Sequence, residues 1–429
     1  MKDAAVAAVS DHAAALPNLD TIIRGLLYVY IFCLPFNRLL FVERNGFLIL
    51  VALLAIWCGV NQRHFFTRTP LDLPLIAFTV WVAVTVPFSM APLYSLKEFA
   101  KLLQQVLIFY VVAQFFRGVR HRTRLVWMLV GGLFVVSAYG VVQFTQLIGA
   151  PLQEGELTLV ESVTSGEVWL TTYLIMLIPL SLALGLCGQW PSARIVGMGT
   201  TGLATLCLLL TYSRAGLLAL LCEMVALAWF VRRRTVLIGM AVSVLVVVFG
   251  SAALFQADLT AAVGQKMAHG KTFTLPGSST LELRLEYWKA GMKIIADHWV
   301  VGTGYGKESL RPAAASRPEQ NREPVKREAH NTFLDLAVEV GVPGLILFGW
   351  LLWRIAATTI AGFRQCEAPA AKAVALAVSV SVIGLVARLQ FDHMLIGTLA
   401  LQFWVLVALA TAAAQAAGGP SRVGFEKGV

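Results

Sequence analysis

Charge is scarce in this sequence, and the scarcity decides its class. Only 14% of the 429 residues are Asp, Glu, Lys or Arg, while 58% are hydrophobic and mean hydropathy is +0.74. Soluble domains carry roughly a quarter charged residues, so a cytosolic globular protein is excluded. The six cysteines form no C-x-x-C pair, and none falls in the long polar segment described below. Zinc-ribbon and disulfide scaffolds are therefore excluded. Cys33, Cys58, Cys187, Cys207, Cys222 and Cys366 read as small apolar residues. The sequence holds no H-E-x-x-H, no Cys/His cluster, no D-x-D and no G-x-S-x-G elbow, so neither a metal nor a cofactor is expected. No internal repeat supports the inverted-repeat plan of many transporters. The opening "MKDAAVAAVSDHAAALPNLD" contains Asp3 and Asp11 and no basic n-region. A cleaved signal peptide is not expected, and the first span reads as an uncleaved anchor.

What is present is a series of apolar runs. A membrane span needs roughly 20 apolar residues. Twelve runs qualify, at about 21–36, 46–60, 71–88, 97–116, 124–148, 167–187, 194–211, 214–231, 235–255, 331–353, 372–390 and 395–415. The expected fold is all-α and polytopic, divided into spans 1–9 over 1–255, a long loop over 256–330, and spans 10–12 with a tail over 331–429. The formal charge is +10, and its distribution is informative. Arg63 and Arg68, the cluster Arg117–Arg124, Arg194, Arg232–Arg234, Arg364 and Lys372 occupy one alternate set of loops. The 89–96 loop has no base, and the 149–166 loop has Glu154, Glu156 and Glu161. By the positive-inside bias the basic set, with both termini, is cytoplasmic. The basic excess suits anionic lipid. Without basic–aromatic interleaving, nucleic acid is not an expected partner.

The 256–330 loop is long enough to demand a role or disorder. Within it, Leu281, Leu285, Trp288, Met292, Ile295 and Trp299 recur at helical spacing, opposite Glu282, Glu286, Lys289 and Lys293. This predicts an amphipathic helix on the bilayer surface or on the bundle. The Pro- and charge-rich run at 311–328 reads as flexible.

The candidate chemistry gathers at the outer ends of the spans. His330 ends the long loop; alone, such a histidine is most simply a cap or interface residue. However, Asn331, Asp335 and Glu339 follow it at four-residue spacing on one helix face, and acids inside a span usually face a cavity or a partner. Histidine can accept a proton near neutral pH. Arg214, in "TYSRAG", sits between two adjacent spans on the outer side. A snorkelling arginine explains it, as does a phosphate ligand at a helix start. Arg284 precedes Trp288 by four residues and reads either as a solvated charge or as a second diphosphate ligand. Lys97, Lys101 and Gln104 share one face of the fourth span, as interfacial residues or as a basic wall for an anionic headgroup. In "ARLQFDHM", Arg388, Asp392 and His393 sit at the outer end of the eleventh span, where a structural Arg–Asp pair explains them as well as a site does. "VVGTGYGKES" fails the phosphate-loop pattern and reads as a tight turn that returns the loop over the site.

Taken together, His330-Asn331 followed after nine residues by Gly341-x-x-Gly344, Arg214 between two spans, and Arg284-x-x-x-Trp288 with "GTGYG" resemble the O-antigen ligase and polymerase superfamily. The resemblance covers most of the chain in topology and rests in sequence mainly on 211–216 and 284–345. It implies a bacterial inner-membrane enzyme with its site facing the periplasm. The donor it implies is a glycan on undecaprenyl diphosphate, and a lipid A-core is one acceptor. It also implies metal- and ATP-independent inverting transfer. In that scheme His330 is the general base and Arg214 and Arg284 neutralise the diphosphate. Lys97, Lys101 and Gln104 assist donor binding, and Asn331, Asp335, Glu339, Trp288 and Arg388 support the site. A polymerase, a protein oligosaccharyltransferase and a lipid-linked glycan transporter are the alternatives. The transporter reading asks for substrate groups near the bilayer midplane, whereas these candidates crowd the outer ends.

Overall fold

A computed structural model describes residues 19–147, 160–188, 190–231, 278–306 and 329–417. Among them are twelve α-helices and no strand: α1 (Leu19–Cys33), α2 (Leu40–Asn61), α3 (Asp72–Thr85), α4 (Pro92–Phe115), α5 (Val119–Leu147), α6 (Glu167–Cys187), α7 (Pro191–Leu210), α8 (Arg214–Val231), α9 (Ser278–Asp297), α10 (Thr332–Gln365), α11 (Pro369–Arg388) and α12 (Gly397–Ala417). The chain is an all-α polytopic membrane protein. Eleven of the twelve expected spans correspond to helices here, and the run at 235–255 lies outside the described residues, as do Glu154, Glu156 and the Pro- and charge-rich run at 311–328.

Among the described residues, eight helices are long and apolar enough to cross a membrane: α2, α5, α6, α7, α8, α10, α11 and α12. The remainder differ from the sequence reading for physical reasons. Helices α1 and α3 have 15 and 14 residues, about 22 Å each at 1.5 Å per residue, which is short of a hydrocarbon core. Helix α4 spends its first turns on Lys97, Glu98 and Lys101. The bundle is organised round α6 and α11, which pack against each other. Along α6, every residue from Leu170 to Ser181 is buried. Ser381 of α11 donates to the Met176 carbonyl of α6 at 2.9 Å, an interhelical polar tie of the kind that membrane bundles use.

Helix α10 is broken. Gly341 adopts φ 74°, ψ 174° inside its 34 residues, so the expected span at 331–353 is really a short helix, Thr332–Val340, followed by a longer one from Val342. The break frees backbone groups that cannot be left bare in a membrane protein. The 299–306 turn takes them up. The amides of Thr303 and Gly304 donate to the carbonyls of Val338 and Glu339, at 2.8 and 2.9 Å, and Val342 N–H donates to Trp299 at 2.8 Å. Trp81 Nε1 reaches the Val340 carbonyl at 2.8 Å. Such close backbone approach requires glycine: a Cβ on Gly341 would meet the Val300 carbonyl, and one on Gly304, at φ 123°, would meet Ser89 and Ser95. "GTGYG" is thus a turn folded against the broken helix.

Candidate functional site at the start of α10

The site is built where the 299–306 turn, the start of α10 and the 389–396 connection meet. Asn331 caps α10: its side-chain oxygen accepts from the amides of Phe333 and Leu334, at 3.0 and 3.1 Å. This satisfies two of the helix's orphan donors. Immediately before it, His330 has φ 53°, in the left-handed region that histidine, asparagine and aspartate tolerate better than most residues. That turn points the imidazole away from α10 and toward the 389–396 connection. Its Nδ1 lies 3.1 Å from Oδ1 of Asp392. Arg388 Nη1 holds the other carboxylate oxygen at 2.6 Å. Burial alone would raise the Asp392 carboxyl, but the His330 hydrogen bond and the Arg388 charge outweigh it and hold the group below its ordinary value. The result is a chain, Arg388–Asp392–His330, that runs from a fully buried guanidinium to a partly exposed imidazole.

A second, deeper cluster locks this chain in place. Asp335 and Glu339 are both buried. Asp335 accepts from the Ala329 amide at 2.7 Å, and Glu339 accepts from the Gly306 amide at 3.0 Å. Between them stands His393, with Nδ1 3.4 Å from Asp335 and 3.6 Å from Glu339. Thr332 closes the stitch by donating to the Asp392 carbonyl at 2.6 Å. The helical face Asn331–Asp335–Glu339, expected to orient a substrate, therefore has internal partners and shapes the loop that carries His330. A cavity of about 50 Å³ lies beneath, with Glu339, His393, Thr332, Gln105 and Tyr305 on its walls, wide enough for on the order of one or two water molecules. Among the described residues no group of three or more acids, histidines and cysteines is arranged to hold a metal ion.

Helix α9 brings the long loop to the same place. Gly291 and Ile294 pack on α10, where a Cβ at Gly291 would crowd Leu334. Trp288 Nε1 donates to the Ala329 carbonyl at 3.1 Å, and the Tyr287 ring lies 6.3 Å from that of His330. The docked face is Arg284, Tyr287, Gly291, Ile294 and His298, all buried or half-buried, whereas Leu285, Met292 and Trp299 of the expected apolar stripe remain exposed. Those exposed residues are free to meet the bilayer surface, and Arg284 lies one turn before Tyr287 on the same helix face.

The other expected residues lie at the same end of the bundle with different surroundings. Arg214 is the first residue of α8 and is exposed. Lys97 and Lys101 are exposed on α4, next to the turn: a Cβ on Gly306 would meet Glu98. Lys101 pairs with Glu98 at 2.6 Å, and Gln104 donates to Tyr30 and Glu43, so Gln104 ties α4 to α1 and α2. Asp392 and His393 are the two residues whose importance the sequence understated. The i,i+4 spacing of Arg388 and Asp392 was the available signal, and it revealed the pair without its third member.

Fold and site thus define a polytopic membrane protein with a buried, charge-rich cluster at one end of its helices. The O-antigen ligase family model matches residues 199–349, which include Arg214, Arg284 and His330, and this match supports a member of the O-antigen ligase/polymerase superfamily. The family indicates an O-antigen ligase/polymerase-type function, that of a membrane glycosyltransferase-like enzyme working with a lipid-linked glycan and a lipid acceptor. Its apolar helices fit a multi-pass inner-membrane protein. No curated protein matches the chain.

Proposed function

We propose that the protein is an O-antigen ligase that moves a glycan from undecaprenyl diphosphate onto a lipid A-core acceptor, with the His330 end facing the periplasm and both termini in the cytoplasm. The observation that carries the mechanism is the Arg388–Asp392–His330 chain. With Nδ1 donating to Asp392, Nε2 of His330 is the free acceptor. It takes the proton of an acceptor sugar hydroxyl, and that oxygen attacks the anomeric carbon from the face opposite the leaving group. The bond from the anomeric carbon to the phosphate oxygen breaks, and undecaprenyl diphosphate departs with the electron pair and the negative charge. Arg214 and Arg284 neutralise that charge as it develops, which takes the place of a divalent cation; Lys97 and Lys101 add a basic wall. Asp392 fixes the imidazole tautomer and stabilises the imidazolium, as a carboxylate does for a catalytic histidine.

The test is reconstitution of the full chain with undecaprenyl-diphosphate glycan, with and without lipid A-core. Glycan on the core supports the ligase. Lengthening of the lipid-linked glycan without core would instead make the protein a polymerase, and the absence of any new glycosidic bond would remove the enzymatic reading.

A further inference from the structure

At the end of the bundle opposite His330, the starts of α5, α7 and α11 surround a cavity of about 260 Å³. Helix α11 runs 20 residues from this cavity to Arg388, so the two sites are about 30 Å apart along its axis. The walls are almost wholly apolar, with Trp127 and Trp190 at the sides. Arg122 is the charged residue among those that line the cavity. It is 7% exposed. Its Nη1 donates to the carbonyls of Arg117 and Ala412, and no carboxylate partners it among the described residues. A buried guanidinium without a counter-ion is costly.

Two further features favour an anion here. Both α7 and α11 begin at the cavity, through Trp190 and Ala193 and through Ala368, Ala370 and Ala371. Both open with proline at the first turn and without a side-chain cap. Two helix N-termini therefore bring uncapped amides and the positive ends of their dipoles to the place where Arg122 stands. Exposed Arg120, Arg124, Arg194 and Lys372 surround the same end. Glu367 is also at this end and is exposed.

We infer that this cavity is a binding site for an anionic glycerophospholipid, with the headgroup phosphate at Arg122 and the two helix starts, and an acyl chain against the apolar wall. A free phosphate matches the polar half alone; the volume and composition of the cavity call for the hydrocarbon as well. The proposal uses the reading above only to assign the leaflet, which is the cytoplasmic one, where anionic lipid attracts basic segments.

The test is native mass spectrometry of the purified full chain titrated with dioleoylphosphatidylglycerol or dioleoylphosphatidylcholine. Dioleoylphosphatidylcholine carries the same phosphate but adds a choline cation that Arg122 and the surrounding basic residues repel, so a preference of about tenfold for the anionic lipid is expected. Arg122→Gln should erase that preference. Ala371→Trp, which fills the mouth of the cavity from a half-exposed helix position, should erase binding itself and serves if Arg122→Gln does not fold. Equal retention of the two lipids, or anionic lipid retained at full strength by Ala371→Trp, would overturn the proposal. So would displacement of the lipid by inorganic phosphate alone, or retention of undecaprenyl phosphate in place of phosphatidylglycerol; the latter would assign the cavity to the tail of a polyprenyl donor. Because glycan transfer is not the readout, failure of the ligase reading leaves this result interpretable.

Discussion

His330 and Asp392 are 62 residues apart in sequence, and Nδ1 of one lies 3.1 Å from Oδ1 of the other. Two separate pieces of chain, the end of the long loop and the connection between α11 and α12, thus have to be held together before the histidine has a working orientation. The backbone at His330 imposes a further condition on testing it. At φ 53° most side chains cost roughly 1–2 kcal/mol, and alanine removes the imidazole and adds strain together. Asparagine accepts that conformation and cannot act as the base. The expectation is that His330→Asn keeps the melting temperature of the wild type while glycan transfer falls by about 10²–10⁴-fold, the usual contribution of a general base. Near-normal turnover by His330→Asn would remove the base assignment.

Acid should expose the contribution of Asp392. Its folded-state carboxyl is held below the unfolded value by His330 and Arg388 against the opposing effect of burial. The charge therefore stabilises the fold at pH values above the unfolded carboxylate value of about 3.9, and the contribution is lost as pH falls through the lower folded value. Melting curves of the wild type should drop more steeply below about pH 4 than those of Asp392→Asn. Parallel curves for the two proteins would show that Asp392 does not carry this linkage. At neutral pH the same substitution should lower turnover far more than donor affinity, since in the proposed mechanism the carboxylate orients the base and stabilises its protonated form.

Arg388 is 1% exposed, and it holds Asp392 at 2.6 Å. Removing one member of a buried pair strands the other, at about 3–5 kcal/mol. Arg388→Met should therefore melt well below the wild type. Adding Asp392→Asn to that background should restore much of the melting temperature while leaving transfer low. If the double variant melts no higher than Arg388→Met, the two residues are not coupled.

For the donor, the expected signature is in affinity. Arg214→Ala and Arg284→Ala should each raise the KM for the undecaprenyl-diphosphate substrate. Each should also reduce turnover, because the charge they meet grows as the leaving group departs. Wild-type transfer should persist in excess EDTA. If EDTA stops the reaction and an added divalent ion restores it, a metal rather than the two arginines neutralises the diphosphate.

The helices were largely legible in the sequence because their driving pattern is local. Apolar runs and basic loops can be counted without knowing what lies next to them, and eleven of the twelve spans coincide with helices. The site was less legible. His330, Asn331, Asp335 and Glu339 stand out as polar residues at an apolar boundary, but their partners come from 303–306 and 388–393, and no local period encodes those pairings. Asn331 is legible as a polar residue supporting the site, but its capping of α10 is not, because capping geometry depends on where the helix actually starts. Helix α9 is legible as amphipathic, but the face by which it docks is not. Its most apolar stripe is conspicuous in sequence, yet it docks through Gly291 and Ile294 beside Arg284 and Tyr287, since a small residue allows close approach where a large one does not. Arg122 was counted only as one of a cluster of charges; its burial depends on α12, 290 residues away.

The break at Gly341 also separates spacing in space from spacing along the chain. The bonds that register the glycine turn against α10 run from Trp299, Thr303, Gly304 and Gly306 to residues 338–342, on either side of the 307–328 segment. The position of His330 is therefore set by a clasp closed across that segment and not by its contour length. A change in the length of the intervening stretch is expected to leave the setting of the imidazole unaltered.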